Sequence, residues 1–176
     1  MSSRKINAVT SLIVTFMLLD HAIFNAVWML SKGAVPKLAG IMPWALTVLV
    51  ALHAYISVEM GISADSEKKV TNYNKYPKLN RGTFIQRISG ILMIVFSGLH
   101  IAGAMKYLQP PKIVHGILPP LFFTVVMAHV VVSANKAFIT LGIGSAKFIK
   151  AVDIATKILC AVVLIADIVG FYLYVW

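Results

Sequence analysis

Apolar residues fill five stretches of the chain, at about 8–30, 41–61, 84–105, 116–140 and 151–175, and polar residues are confined to the ends and connections. Each stretch reaches or exceeds the roughly 20 residues that an α-helix needs to cross a bilayer. No ten-residue alternating pattern suggests a barrel. In hydrocarbon every backbone amide needs a partner within its own segment, so all five stretches are predicted to be helices. The expected architecture is all-α: an integral membrane bundle of five transmembrane helices, forming one domain over residues 1–176. The first stretch follows Arg4 and Lys5. It is too long for a signal h-region and lacks a small-residue cleavage pattern, so it is expected to be retained.

Composition agrees with this pattern, since 59% of the 176 residues are apolar and 12% are charged. The net charge of +10 then reads as orientation charge rather than a nucleic-acid surface. Twelve of the 16 Lys and Arg fall on one side if the N-terminus is cytoplasmic, and four (Lys32, Lys37, Lys106 and Lys112) fall on the other. That bias predicts a cytoplasmic N-terminus and an outside C-terminus. Trp28, Trp44, Tyr107, Tyr174 and Trp176 then form an outer aromatic belt. The connection 62–83, with Tyr73, Tyr76 and Pro77 among its basic residues, is polar enough to meet a cytoplasmic partner. The single cysteine, Cys160, excludes an internal disulfide, a cysteine-ligated zinc and the CxxCH haem attachment.

Four of the five histidines lie one per stretch in the first four: His21, His53, His100 and His129. A lone membrane histidine is commonly a hydrogen-bonding group between helices. Depth gives the four a joint account. At about 1.5 Å per residue, His21 and His100 stand roughly 20–24 Å from the inner boundary, while His53 and His129 stand roughly 10–12 Å from it. Two imidazole pairs at two depths suit two six-coordinate haem irons relaying electrons along the membrane normal. Zinc and di-iron sites fit worse, because HExxH and ExxH spacings are absent. His115, near the start of the fourth stretch and before Pro119 and Pro120, is expected to be an interfacial group.

The sequence resembles the dihaem cytochrome b membrane-anchor subunit of succinate:quinone oxidoreductases, the family of succinate dehydrogenases and fumarate reductases. The resemblance is carried by Gln86, Arg87, Ser89 and Gly90 followed by His100, and by His129, Ser133, Thr140, Gly142 and Ile143. With His21 and His53 on the preceding helices it covers about residues 10–145. It implies two b haems as cofactors, His21 and His100 ligating the distal iron, and His53 and His129 the proximal one. It also implies a flavoprotein and an iron-sulphur subunit as cytoplasmic partners, a membrane quinone, commonly menaquinone, as substrate, and the inner membrane of a prokaryote as location. The chain is then the quinone-reactive part of an enzyme whose succinate site is on another subunit.

Around such haems, Ser89, Gly90, Gly98 and Ser133 are the expected close contacts, though helix packing also uses small residues. Arg87 and Lys136 are expected beside anionic propionates, or as interfacial charges that snorkel. Quinone chemistry moves protons and needs a titratable group. Glu59 and Asp153 sit near basic neighbours, which leaves Asp20 and then Asp167 as candidates in the outer third of the membrane. Some relatives carry an acid in the first outer connection, or a glutamate two residues before the fourth-helix histidine. This chain has no acid from Ser31 to Trp44, and it has Met127 at the second position. Rival readings are a dihaem subunit of a hydrogenase or formate dehydrogenase, and a haem-free anchor or proton-relay protein whose histidines bond helices.

Overall fold

The computed structural model describes residues 2–34, 41–67, 77–105 and 112–175. The chain forms five helices: α1 (Ser3–Leu30), α2 (Ile41–Glu67), α3 (Pro77–Ala104), α4 (Lys112–Leu141) and α5 (Ala146–Val175). All five are long and apolar enough to span a membrane. They start or end beyond the apolar stretches because polar turns continue them. α3, for example, begins on Pro77, whose fixed φ and missing N–H suit a first helical position. Residues 68–76, Lys37, Lys106, Tyr107 and Trp176, and the side chain of His115, lie outside the described residues.

Side-chain bonds fix the helix directions. Ser57 donates to Asn7, which places the far end of α2 beside the start of α1. Ser89 meets His129 and Lys136 donates to Gln86, so α3 and α4 run antiparallel. Asn135 bonds Asp153 at one end of α4 and α5, and Tyr172 bonds Gly116 at the other. The bundle therefore runs up and down. One end carries the starts of α1, α3 and α5, and the opposite end brings Trp28 and Tyr174 to a ring separation of 4.5 Å.

α1, α4 and α5 pack on one another, α2 leans on α1, and α3 leans on α4. Only 6% of the α2 span and 11% of the α3 span are buried, against 28% for α5, so α2 and α3 are outer wings. The core at the centre comprises Met93, Val125, Val126, Met127, Val130, Cys160 and Val163. Leu18, Leu19 and Ala22 of α1 close it, with Phe96 and Phe122.

Two local features tie α5 into place. Pro120 lacks the N–H that would bond the carbonyl four residues earlier, at Gly116. Tyr172 of α5 donates its hydroxyl to that carbonyl at 3.2 Å, so a neighbouring helix satisfies the group that the proline leaves open. At the turn into α5, Gly142 adopts φ +72°. The bonds from Ile143 N to Phe138 O and from Gly142 N to Ile139 O then close the end of α4 as a Schellman motif.

Gly170 of α5 marks the closest approach to α1. A Cβ there would stand 3.2 Å from Met29 Cβ and 3.4 Å from the Ala26 carbonyl oxygen. Gly170→Leu is expected to cost about 1–3 kcal/mol by overpacking. The measurement is the midpoint of unfolding in a detergent–SDS titration, and an unchanged midpoint would contradict the packing described.

Candidate functional site

α3 presents Ser89 and Gly90 to α4, and the imidazole of His129 is seated on both. Ser89 is buried. Its hydroxyl lies 2.7 Å from the Ile85 carbonyl and 2.9 Å from His129 Nδ1. Serine and threonine in a helix ordinarily bond back to the carbonyl four residues earlier, where no water competes. With its one hydrogen donated to Ile85, the Ser89 oxygen accepts from Nδ1–H of the ring. That choice of tautomer leaves Nε2 with its lone pair, the form in which histidine ligates metals. A Cβ on Gly90 would stand 3.4 Å from His129 Cε1. Gly90, expected to clear a porphyrin face, lies against the His129 ring.

His129 shares a cavity of about 30 Å³ with His53 of α2. Ser11, Val14, Thr15 and Leu18 of α1, Val50 of α2, Met93 of α3, and Val130 and Ser133 of α4 complete the lining. The Ser133 hydroxyl donates to the His129 carbonyl, one turn back. His53 Nδ1 is buried without a hydrogen-bond partner among the described residues. One polar atom thus lacks a partner on a residue that faces a second imidazole's cavity.

Lys136 donates to Gln86 Oε1 at 2.7 Å, which ties α4 to α3 two turns beyond His129. Arg87 is exposed on α3. Gly98 is exposed as well, and a Cβ there would meet no atom within 4 Å. Asp153 takes the structural role expected of it, bonding Lys157 and Asn135.

His21 and His100 stand on α1 and α3 toward the other end. His100 lies against Phe122 of α4, with ring centroids 5.5 Å apart. His21 Nε2 accepts from Asn25 Nδ2 at 2.9 Å, and the same amide nitrogen reaches the His21 carbonyl. Asn25 is the residue that sequence reasoning missed. The signal was present, since a polar amide four residues from a histidine lies on the same helical face.

The two acids in this half of the bundle differ sharply. Asp20 is half-buried. Asp167 is 1% exposed, with neither carboxyl oxygen paired among the described residues. A carboxyl group held so deeply in a membrane helix marks a functional candidate by default, which reverses the order the sequence suggested.

Among the described residues no three of His, Cys, Asp and Glu gather where one ion could bind. The donor set at the deeper level is a pair of imidazoles, one with Nε2 free of its serine partner. Two imidazoles are a donor set that a b haem iron would accept. A porphyrin needs more room than about 30 Å³.

Ser89→Ala would remove the hydroxyl that meets His129 Nδ1 at 2.9 Å. It is expected to cost about 1–3 kcal/mol in the same unfolding titration, whereas Gly98→Ala should be neutral or slightly stabilising. Equal effects of the two substitutions would contradict the seat described for His129.

Comparisons with protein-family models, with curated proteins and with solved structures give no match to this chain.

Proposed function

We propose that this chain is the dihaem cytochrome b membrane anchor of a succinate dehydrogenase or fumarate reductase, exchanging electrons between an iron-sulphur subunit and a membrane quinone. The observation that carries the reading is the convergence of His53 and His129, from the separate wing α2 and the core helix α4, on one cavity. Its support on the sequence side is the order and spacing of Gln86, Arg87, Ser89, Gly90, His100, His129 and Ser133. Two b haems would supply a one-electron relay across the membrane.

Each residue then has a task of its own. His53 and His129 ligate the proximal iron through imidazole nitrogens, and Ser89 fixes the His129 tautomer and ring orientation. His21 and His100 ligate the distal iron. Asn25, which bonds His21 Nε2, has to release that atom for ligation. Gly98 and Ser133 leave room beside the ligands, and Lys136 and Arg87 offer positive charge near the proximal site. Asp167 and Asp20 are the candidates for handling quinone protons. The excess of basic residues at the end carrying the starts of α1, α3 and α5 supports a cytoplasmic placing of that end, and the resemblance supports a prokaryotic inner membrane. There the flavoprotein and iron-sulphur partners would dock.

A haem-free role, with histidines bonding helices, draws its support from the Asn25 contact at His21. Pyridine haemochrome analysis of the purified complex separates the two readings. Two b haems per chain are expected, and a colourless preparation excludes the proposal. His21→Ala or His100→Ala should remove one haem, and His53→Ala or His129→Ala the other. Loss of only one haem when one residue from each pair is replaced together would overturn the pairing.

Asp167→Asn and Asp20→Asn are expected to slow quinone turnover while leaving both haems bound, with the larger loss at Asp167. Normal turnover in both variants would remove these acids from the quinone chemistry.

A further inference from the structure

Polar residues of α1 recur at four-residue intervals from its first turns: Asn7, Ser11 and Thr15. That spacing puts them on one helical face, along about 12 Å of helix. Asn7 accepts a bond from Ser57 of α2 at 3.1 Å, and Ser11 and Thr15 line the His53–His129 cavity. On α2, Ser57 and His53 are again four residues apart, as are Ser133 and His129 on α4. Three short polar rows thus converge on one cavity from the end of the bundle that carries the N-terminus. Beyond Thr15 the α1 row ends. Leu18, Leu19 and Ala22 follow, packed with Phe96 and Phe122 against the buried aliphatic core.

A cavity of about 30 Å³ is large enough for water, and a buried water needs two to four polar partners. Ser11, Thr15, Ser133 and the two imidazoles supply that number, and His53 Nδ1 is buried with no bond among the described residues. We propose that the Asn7–Ser11–Thr15 face of α1 is a water-access path. It joins the His53–His129 cavity to the aqueous phase at the N-terminal end of the bundle and stops at the aliphatic layer before His21. This goes beyond the haem reading and rests on the cavity and its polar lining. Water and the protons it carries reach the deeper histidine pair from one side only.

Thiol accessibility tests the path in native membranes. Cys160 is first replaced by alanine, and single cysteines are placed at Ser11, Thr15, Phe16 and Leu19. The probe is the membrane-impermeant methanethiosulfonate ethyltrimethylammonium, applied to vesicles of either orientation. Ser11→Cys and Thr15→Cys should react an order of magnitude faster than Phe16→Cys and Leu19→Cys, and only from the side of the N-terminus. Equal rates at all four positions, or reaction of Thr15→Cys from the opposite side, would overturn the proposal. Radiolytic hydroxyl footprinting of the unmodified chain provides a second readout. Met93 lines the cavity and Met127 lies in the aliphatic core, and both are buried. Oxidation of Met93 with Met127 spared is expected. Equal modification of the two, or none at Met93, would contradict water at the cavity. Haem content is read separately by pyridine haemochrome on the same membranes, so failure of the path and failure of the haem reading are distinguished.

Discussion

A polar atom placed among lipid tails has no water to turn to, and its partner must come from the protein itself. That constraint arranges nearly every polar contact in the bundle. Thr10, Thr47, Ser89, Thr124, Ser133 and Thr140 each bond a carbonyl one turn back on their own helix. Where a proline removes an N–H, Tyr172 takes the carbonyl left open. Bonds between helices are fewer and therefore more informative: Ser57 to Asn7, Asn135 to Asp153, Lys136 to Gln86 and Ser89 to His129. The last seats the imidazole of His129 against α3.

The same constraint makes the exceptions meaningful. His53 Nδ1 and both oxygens of Asp167 are buried without partners among the described residues. Such groups are expensive in a low-dielectric interior, and a sequence retains them where chemistry needs them. His53 belongs to the cavity shared with His129. Asp167 lies instead on the buried stripe of α5 that also carries Cys160, Val163, Gly170 and Phe171. That stripe includes the close contact of Gly170 with Met29 and Ala26 of α1.

What the sequence revealed follows from what lipid demands. Five apolar stretches of spanning length translate directly into five helices, because no other backbone arrangement satisfies its amides there. Rotation about each helix axis was harder to read. A spanning helix is apolar on every side, so periodicity does not distinguish the face toward lipid from the face toward protein. The depth count could place Asp20 and Asp167 at one level but not show that only Asp167 faces inward. It likewise treated Gly90 and Gly98 alike, although one lies under the His129 ring and the other meets nothing. Asn25 was legible by its spacing from His21, although a neutral amide carries no charge to mark it.

The layout also separates two groups of histidines. Between His129 and Phe122, α4 climbs about 10 Å through Val126 and Val125, both buried. Leu19, Phe96 and Val163 fill the same layer from the other helices. Apolar side chains offer a water no hydrogen-bond partner, so this layer differs in kind from the polar-lined cavity that His53 and His129 share. His21 and His100 stand on its other side, and the polar groups of the bundle are thus gathered at two levels with an apolar layer between them.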